Sequence, residues 1–270
     1  MKKFLVIGSN SFISNSIHSD SECIIDKISL KEKNIDDINF SEYDSVINCA
    51  IHSNYINEKY DSNFDLDFQL IKKVLNTDCH YVMISSRKIY GEYPQIINLN
   101  ENSIKKPTDN YSKNKLITEW LIHENFQEKQ KSFTIVRCSN AFGFEPNRKS
   151  FLGFCIDQLV KKKHIHFDIS SKTKRDFIPV DYLGKILKMV MNKKPIGIFN
   201  LSSNYGLEIG KIPLYLIEGY GHGTFSSNDE IIKDQFILDS SQLENALNIK
   251  IPKFDYKKII NQIGEKLKKE

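Results

Sequence analysis

Tyr81-Val82-Met83-Ile84-Ser85-Ser86, then Ile89-Tyr90-Gly91, then Tyr111-Ser112-Lys113-Asn114-Lys115 is the stretch on which the reading turns. The apolar run is a buried strand that delivers Ser86 at its carboxyl end. Pro107-Thr108-Asp109 supplies a stop and cap candidates for a helix carrying Tyr111. Tyr111 and Lys115 are four apart, so on that helix they share one face, a turn apart. An ammonium beside a phenol favours the ionised phenol, which lets a tyrosine exchange a proton near neutral pH. The Ser86 hydroxyl alongside would bond the same substrate oxygen. The three residues read as a site for oxidising an alcohol or reducing a ketone. A Tyr and a Lys at this spacing also occur on ordinary solvated helices, so the assembly with the strand and its serines carries the reading.

Working outward, Lys3 to Ile7 is a short strand closed by Gly8, and Phe12 to Ser19 reads as a helix start. Strand, glycine turn and helix N-terminus are the parts of a dinucleotide phosphate site. Glu22 to Ile25 is a second strand. Asp26 follows it where a carboxylate binds the adenosine ribose of NAD, or it is a simple turn residue. Asp26 favours NAD; the adjacent Lys27 leaves NADP open. Asp44 to Ala50 is another buried strand, with His52 just past it, either facing the ligand or bonded within its loop. Asn63 to Leu75 has helical spacing, and Thr134 to Arg137 is a further strand. On the Tyr111 helix, Leu116, Trp120 and Leu121 are expected on the core face. Strands alternating with helices at this spacing predict an α/β fold with a parallel, doubly wound sheet.

Composition sets the bounds. A chain of 270 residues with 40% hydrophobic and 27% charged content is ordinary for a soluble globular protein. A net charge of +4 on scattered lysines gives no nucleic-acid footprint. The five cysteines (Cys23, Cys49, Cys79, Cys138, Cys155) include no C-x-x-C pair and read as reduced thiols of a cytoplasmic protein, with no metal site. His164 and His166 alternate along an expected exposed strand edge. The apolar run after Met1-Lys2-Lys3 is too short for a signal peptide, and no run approaches a membrane span.

These motifs, in this order, resemble the extended short-chain dehydrogenase/reductase family of sugar-nucleotide epimerases, dehydratases and reductases. Ser86, Tyr111 and Lys115 fall on the catalytic positions of its S-[ST]-x-x-[VI]-Y-G and Y-x-x-x-K patterns. Against G-x-x-G-[FY]-[IL]-G, Gly8, Phe12 and Ile13 match, whereas Ser11 and Ser14 replace two glycines. Arg137 to Gly143 resembles R-x-x-N-x-[FY]-G, whose asparagine, here Asn140, helps hold the sugar nucleotide. Arg175 to Asp181 resembles R-D-[FY]-[IV]-x-V-x-D; Arg175 is implied to bind the diphosphate, or else pairs with Asp176 or Asp181. The resemblance covers roughly residues 3 to 205.

It implies a Rossmann-type dinucleotide-binding domain over 1–140, with returning segments at about 175–203. Segments 141–174 and 204–270 would form a smaller C-terminal substrate-binding lobe. NAD or NADP would meet Gly8, Asn10, Ser11, Phe12, Ile13, Asp26, Cys49, Ala50, Ile51, Tyr111 and Lys115. A nucleotide sugar would meet His52, Ser86, Asn140 and Arg175. A homodimer through the helices carrying Asn63 and Tyr111 is implied, with neither nucleic acid nor membrane as partner. Dehydratases of the family carry Asp-Glu after the catalytic Ser/Thr; Arg87 and Lys88 stand there, which argues against elimination. The expected activity is reduction of a nucleotide-linked 4-keto sugar for surface polysaccharides, because the chain is short and its altered glycine loop suits an exchangeable cofactor. The alternatives are a 4-epimerase with retained NAD and a non-catalytic NAD(P)-binding protein.

Overall fold

The computed structural model describes residues 1–145 and 148–269. The first strands in chain order are β1 (Lys2–Ile7), β2 (Cys23–Ile28), β3 (Ser45–Asn48), β4 (His80–Ser86) and β5 (Asn98–Leu99). They are followed by β6 (Phe133–Cys138), β7 (Asn140–Phe142), β8 (His164–Phe167), β9 (Lys174–Pro179) and β10 (Gly197–Leu201). The last are β11 (Gly206–Glu208), β12 (Thr224–Ser227) and β13 (Ile237–Leu238). The helices are α1 (Ser53–Asn57), α2 (Leu66–Val74), α3 (Asn110–Glu128) and α4 (Phe151–Lys162), then α5 (Val180–Lys193), α6 (Lys211–Tyr220), α7 (Ser241–Leu247) and α8 (Tyr256–Leu267).

Six strands form one parallel sheet in the order β10-β6-β4-β3-β1-β2. The doubly wound α/β architecture read from the sequence is present. The chain passes from β1 to β2 on one side, then crosses to β3 on the other, so the order reverses at β1. The carboxyl ends on either side of such a switch open a crevice where ligands bind.

The strands read as continuous apolar runs because both faces of the sheet are covered. Phe4, Val6, Ile47, Val82 and Val136 pack with Leu183, Ile186, Leu187, Val190 and Met191 of α5. The alternate residues Leu5, Ile7, Val46, Tyr81, Met83 and Ile135 face Leu70, Ile71 and Val74 of α2 and Ile122 and Phe126 of α3. A second core joins α4, α6 and α8 to β8 and β9 through Ile156, Leu159, Ile165, Phe177, Leu216 and Ile260. The paired β8 and β12 leave His166 exposed, and among the described residues there is no cluster fit for a metal. All five cysteines are free, and among the described residues no helix is long and apolar enough to cross a membrane.

Two expectations fail here. The helix predicted from Phe12 is a single 3₁₀ turn, Ser14–Ser16, after which Ile17 is extended and a turn at Asp20 leads into β2. Serine hydroxyls divert the backbone: Ser14 Oγ donates to the Ser9 carbonyl at 2.8 Å, and Ser11 Oγ accepts from the Ser14 amide at 3.1 Å. The turn rests directly on α5, where a Cβ at Gly184 would lie 2.2 Å from the Ser16 carbonyl. Trp120, expected in the core, is 61% exposed. The first turns of the buried side of α3 are instead polar, with Ser112, Asn114, Lys115, Thr118 and Glu119 facing inward ahead of the apolar Ile122 and Phe126.

Candidate active site

β4 ends on Ser86, whose Oγ caps the following turn by accepting from the Lys88 amide at 3.2 Å. α3 begins in a capping box: Asp109 Oδ1 accepts from the Ser112 amide at 2.8 Å, and Ser112 Oγ accepts from the Asp109 amide at 3.3 Å. That box holds Tyr111 in the first turn of α3. Lys88 Nζ lies 2.7 Å from Asp109 Oδ2 and ties the two elements together. The result is a cavity of about 1080 Å³ that brings together Ser86, Tyr111, Asn140 and Arg175, with Ile13 and Ile51 on its wall.

Lys115 lies one turn behind Tyr111, 5% exposed, and does not line the cavity. Its Nζ is 3.1 Å from Asp67 Oδ2, while the Tyr81 hydroxyl donates to Asp67 Oδ1 at 2.7 Å. Burial acts to strip the Lys115 proton, but the Asp67 carboxylate and the nearby phenols of Tyr55 and Tyr111 outweigh it and raise its pKa. The ammonium is therefore retained. The sequence reading missed Asp67 altogether; its place on the buried side of α2, just after the capping Asp65, was the available signal.

Two predicted site residues, His52 and Asp26, are placed elsewhere. His52 is exposed, stacks on Phe64 with centroids 4.8 Å apart, and spends Nδ1 as the cap of α1, accepting from the Asn54 amide at 3.2 Å. It does not line the cavity. Asp26 is not at the end of its strand: it pairs with Leu5 within β2, accepts from the Tyr43 hydroxyl at 3.0 Å and lies 3.3 Å from Lys3 Nζ. Ile28 is the last strand residue, so Ser29 stands at the carboxyl edge, where a carboxylate selects NAD. The structural ground for preferring NAD over NADP is thereby removed. Lys27 is likewise turned under the loop, with Nζ donating to the Ser14 carbonyl.

Arg87 is 6% exposed and held by Asp234, with NH2 to Oδ2 at 2.6 Å and its guanidinium 4.1 Å over Phe236. Arg175 shares that carboxylate, at 3.4 Å, and donates Nε to the Asp234 carbonyl at 3.0 Å. The alternative partners Asp176 and Asp181 are not used, and Asp234 was invisible to motif reading.

Asp176 is fully buried; Oδ1 accepts from the Ser203 amide and hydroxyl at 2.9 Å each, while Oδ2 has no partner. Burial pushes its carboxyl from 3.8 up to about 6. A folded pKa above the unfolded one stabilises fully below the unfolded value and loses that contribution as pH rises through about 6. Asp176→Asn, uncharged throughout, is expected to exceed wild type by up to about 3 kcal/mol at pH 8 and to match it at pH 4. Urea unfolding at both pH values checks this; an equal gain at the two would remove charge as the cause.

The sequence profile of the NAD dependent epimerase/dehydratase family matches residues 4–202, the greater part of the chain. The chain belongs to this family. Among solved structures, it is similar to the UDP-N-acetylglucosamine 4-epimerase from Methanobrevibacter ruminantium M1 in complex with UDP-N-acetylmuramic acid (TM-score 0.82, 15% identity, 98% of this chain and 97% of that one). RMD from Pseudomonas aeruginosa, complexed with NADPH, gives TM-score 0.78 at 15% identity, with 100% of both chains covered. TunA, an NAD dependent NDP-hexosamine 5,6-dehydratase involved in tunicamycin biosynthesis, gives 0.80 at 15% identity over 100% and 99%. Such likeness concerns the fold.

The β1–β3 edge fits the dinucleotide of an NAD-dependent family. Gly8 adopts φ +91°, and a Cβ there would lie 2.8 Å from the Ala50 amide, so the backbone of β1 can press against the end of β3. Among the described residues, the Asn10, Phe12 and Ile13 amides find no acceptor within the protein. Free N–H groups at a switch point form a cradle for phosphate oxygens. Ser11 and Ser14, by contrast, spend their hydroxyls on the loop itself. Cys49 and Ala50 border the same edge.

Proposed function

We propose that this protein reduces the keto group of a nucleotide-linked sugar with NADH or NADPH. The observation that carries the reading is a cavity whose wall presents Ser86 and Tyr111 together, while Asp157 on α4 is the one carboxylate among its described lining residues. Elimination of water needs an acid beside the reacting carbons. The two positions after Ser86 hold cations, one locked on Asp234 and the other on Asp109. That pattern supports reduction over dehydration.

In this reading NAD(P)H, when bound, would supply the hydride that reduces the carbonyl carbon. Tyr111 donates its phenolic proton to the carbonyl oxygen, and the Ser86 hydroxyl bonds that oxygen and fixes its position. Lys115, held charged by Asp67, offsets the negative charge that Tyr111 acquires. Asn140 and Arg175 hold the sugar nucleotide, with the planar guanidinium of Arg175 suited to a diphosphate. Gly8 and the free amides of Asn10, Phe12 and Ile13 hold the cofactor diphosphate. A phosphate loop without a helix behind it suits a cofactor that leaves after each turnover.

The test is cofactor stoichiometry. Purified protein is expected to carry little NAD(H) and to oxidise one NAD(P)H for each nucleotide-linked 4-keto sugar reduced. NAD retained one-to-one through purification, together with interconversion of 4-epimers without net cofactor use, would replace the reductase by an epimerase. Failure to bind either dinucleotide would remove the enzyme reading altogether.

A further inference from the structure

A dinucleotide site normally sets the N-terminus of a helix, worth about half a positive charge, against the diphosphate. Here the helix after Gly8 is reduced to one 3₁₀ turn, so that dipole is missing. The free amides of the loop remain, but nothing within the loop carries charge. Lys27, the nearest cation on β2, is committed to the Ser14 carbonyl on the underside of the turn.

Arg148 lies on the other side of the loop. Its guanidinium sits 3.9 Å over the ring of Phe12, one of the three residues with a free amide, and NH1 donates to the Ala141 carbonyl at 2.8 Å. Phe12 is held from behind, since a Cβ on Gly143 would come within 3.3 Å of its ring. The carboxylate paired with Arg148, Glu145, is 3.7 Å from Nε, too long for a close ion pair. Arg148 also lines the cavity that holds Tyr111 and Ser86. Burial weighs against its charge more than Glu145 and Tyr111 support it.

We infer that Arg148 is the cofactor-diphosphate clamp of this chain, supplying from the segment after β7 the positive charge that the missing helix would have supplied. The inference rests on the NAD(P)-dependent reading proposed above, and it assigns the planar face of Phe12 as the support that aims the guanidinium. Arg148 acts on binding, not on the chemical step.

The experiment is a set of equilibrium titrations of the full-length protein with NADH, NADPH, ADP-ribose, adenosine and UDP, for wild type, Arg148→Met and Arg148→Lys. Arg148→Met is expected to weaken NADH, NADPH and ADP-ribose alike by about 10- to 100-fold, the range for one charge-assisted contact. Adenosine binding should stay within twofold, and Arg148→Lys should recover part of the loss. Loss for UDP with NADH and ADP-ribose unchanged would overturn the inference and assign Arg148 to the sugar nucleotide. Equal losses for adenosine and ADP-ribose would also overturn it, pointing to a disturbed loop. Wild-type protein that binds neither dinucleotide defeats the cofactor reading itself, whereas wild-type binding that Arg148→Met leaves intact defeats the clamp alone. If Arg148→Met does not fold, Arg148→Lys decides, because a displaced charge should still weaken ADP-ribose at least threefold without affecting adenosine.

Discussion

Tyr111→Phe is expected to lower kcat for keto-sugar reduction by about 10³-fold while NAD(P)H binding stays within twofold of wild type. A positioned proton donor contributes about 10² to 10⁴ in rate. The substitution removes one oxygen and leaves the ring, so the first turn of α3 and its Asp109–Ser112 capping box are undisturbed. Ser86 remains able to bond the carbonyl oxygen, but its hydroxyl is a poor proton source. Because the lost interaction develops in the transition state, kcat and kcat/KM should fall together. Steady-state kinetics alongside a dinucleotide titration separates the two effects. A fall of less than tenfold would remove Tyr111 as the donor, and parallel loss of cofactor binding would mark it as structural.

The same experiment bears on Lys115. The sequence put this lysine a turn from Tyr111, as its neighbouring cation and a cofactor contact. The structure pairs it at 3.1 Å with a carboxylate that Tyr81 also grips. A lone ammonium buried this deeply would lose its proton, so Asp67 is what keeps it cationic. Asp67 also shields part of that charge from the cavity. The lysine therefore serves as a fixed, moderated cation behind the phenol, and its side chain is spoken for before any ligand arrives.

The parts legible in the sequence were those governed by local patterns. Apolar runs gave β1, β3, β4 and β6, and the polar cap gave the start of α3. Spacing along that helix put Tyr111 and Lys115 on one side. What failed was decided by distance or by register. Asp26 was misplaced because the end of a strand is set by its partner: β1 continues pairing to Ile28, three residues beyond the boundary read at Ile25. Trp120 was misplaced because the buried face of α3 is polar from Ser112 to Glu119, with Ile122 and Phe126 filling the core only further on, while the exposed face carries Ile117 and Trp120, which inverts the usual rule over that stretch. The helix after Gly8 was lost to serine–backbone bonds, which compete with helix whenever serines cluster. Asp234, which neutralises Arg87 from 147 residues away, has no local signature at all.

That inverted face of α3 yields the largest expected effect on stability. Glu119, 2% exposed, accepts from Arg137 NH2 at 2.7 Å and Nε at 3.2 Å, and also from the Ser85 hydroxyl. Arg137 NH1 goes on to the Tyr90 hydroxyl at 3.0 Å, and Tyr90 donates to Asn200 Oδ1 at 2.7 Å. The network ties α3, β4, β6 and β10 together directly beneath Ser86 and Tyr111. An arginine cannot escape burial by losing its proton, so Glu119→Ala would leave a charged guanidinium in the core. Stranding one member of such a pair costs about 3 to 5 kcal/mol, against a total stability of about 5 to 15. Glu119→Ala is therefore expected to lose that amount in urea unfolding, or to fail to accumulate as folded protein. Glu119→Gln, which keeps an acceptor, should lose less. The double variant Glu119→Leu/Arg137→Met should be more stable than Glu119→Ala alone, since it removes the orphaned charge together with its partner. A loss below 1 kcal/mol for Glu119→Ala would mean that water reaches Arg137, and that the platform under the active site is held by apolar packing.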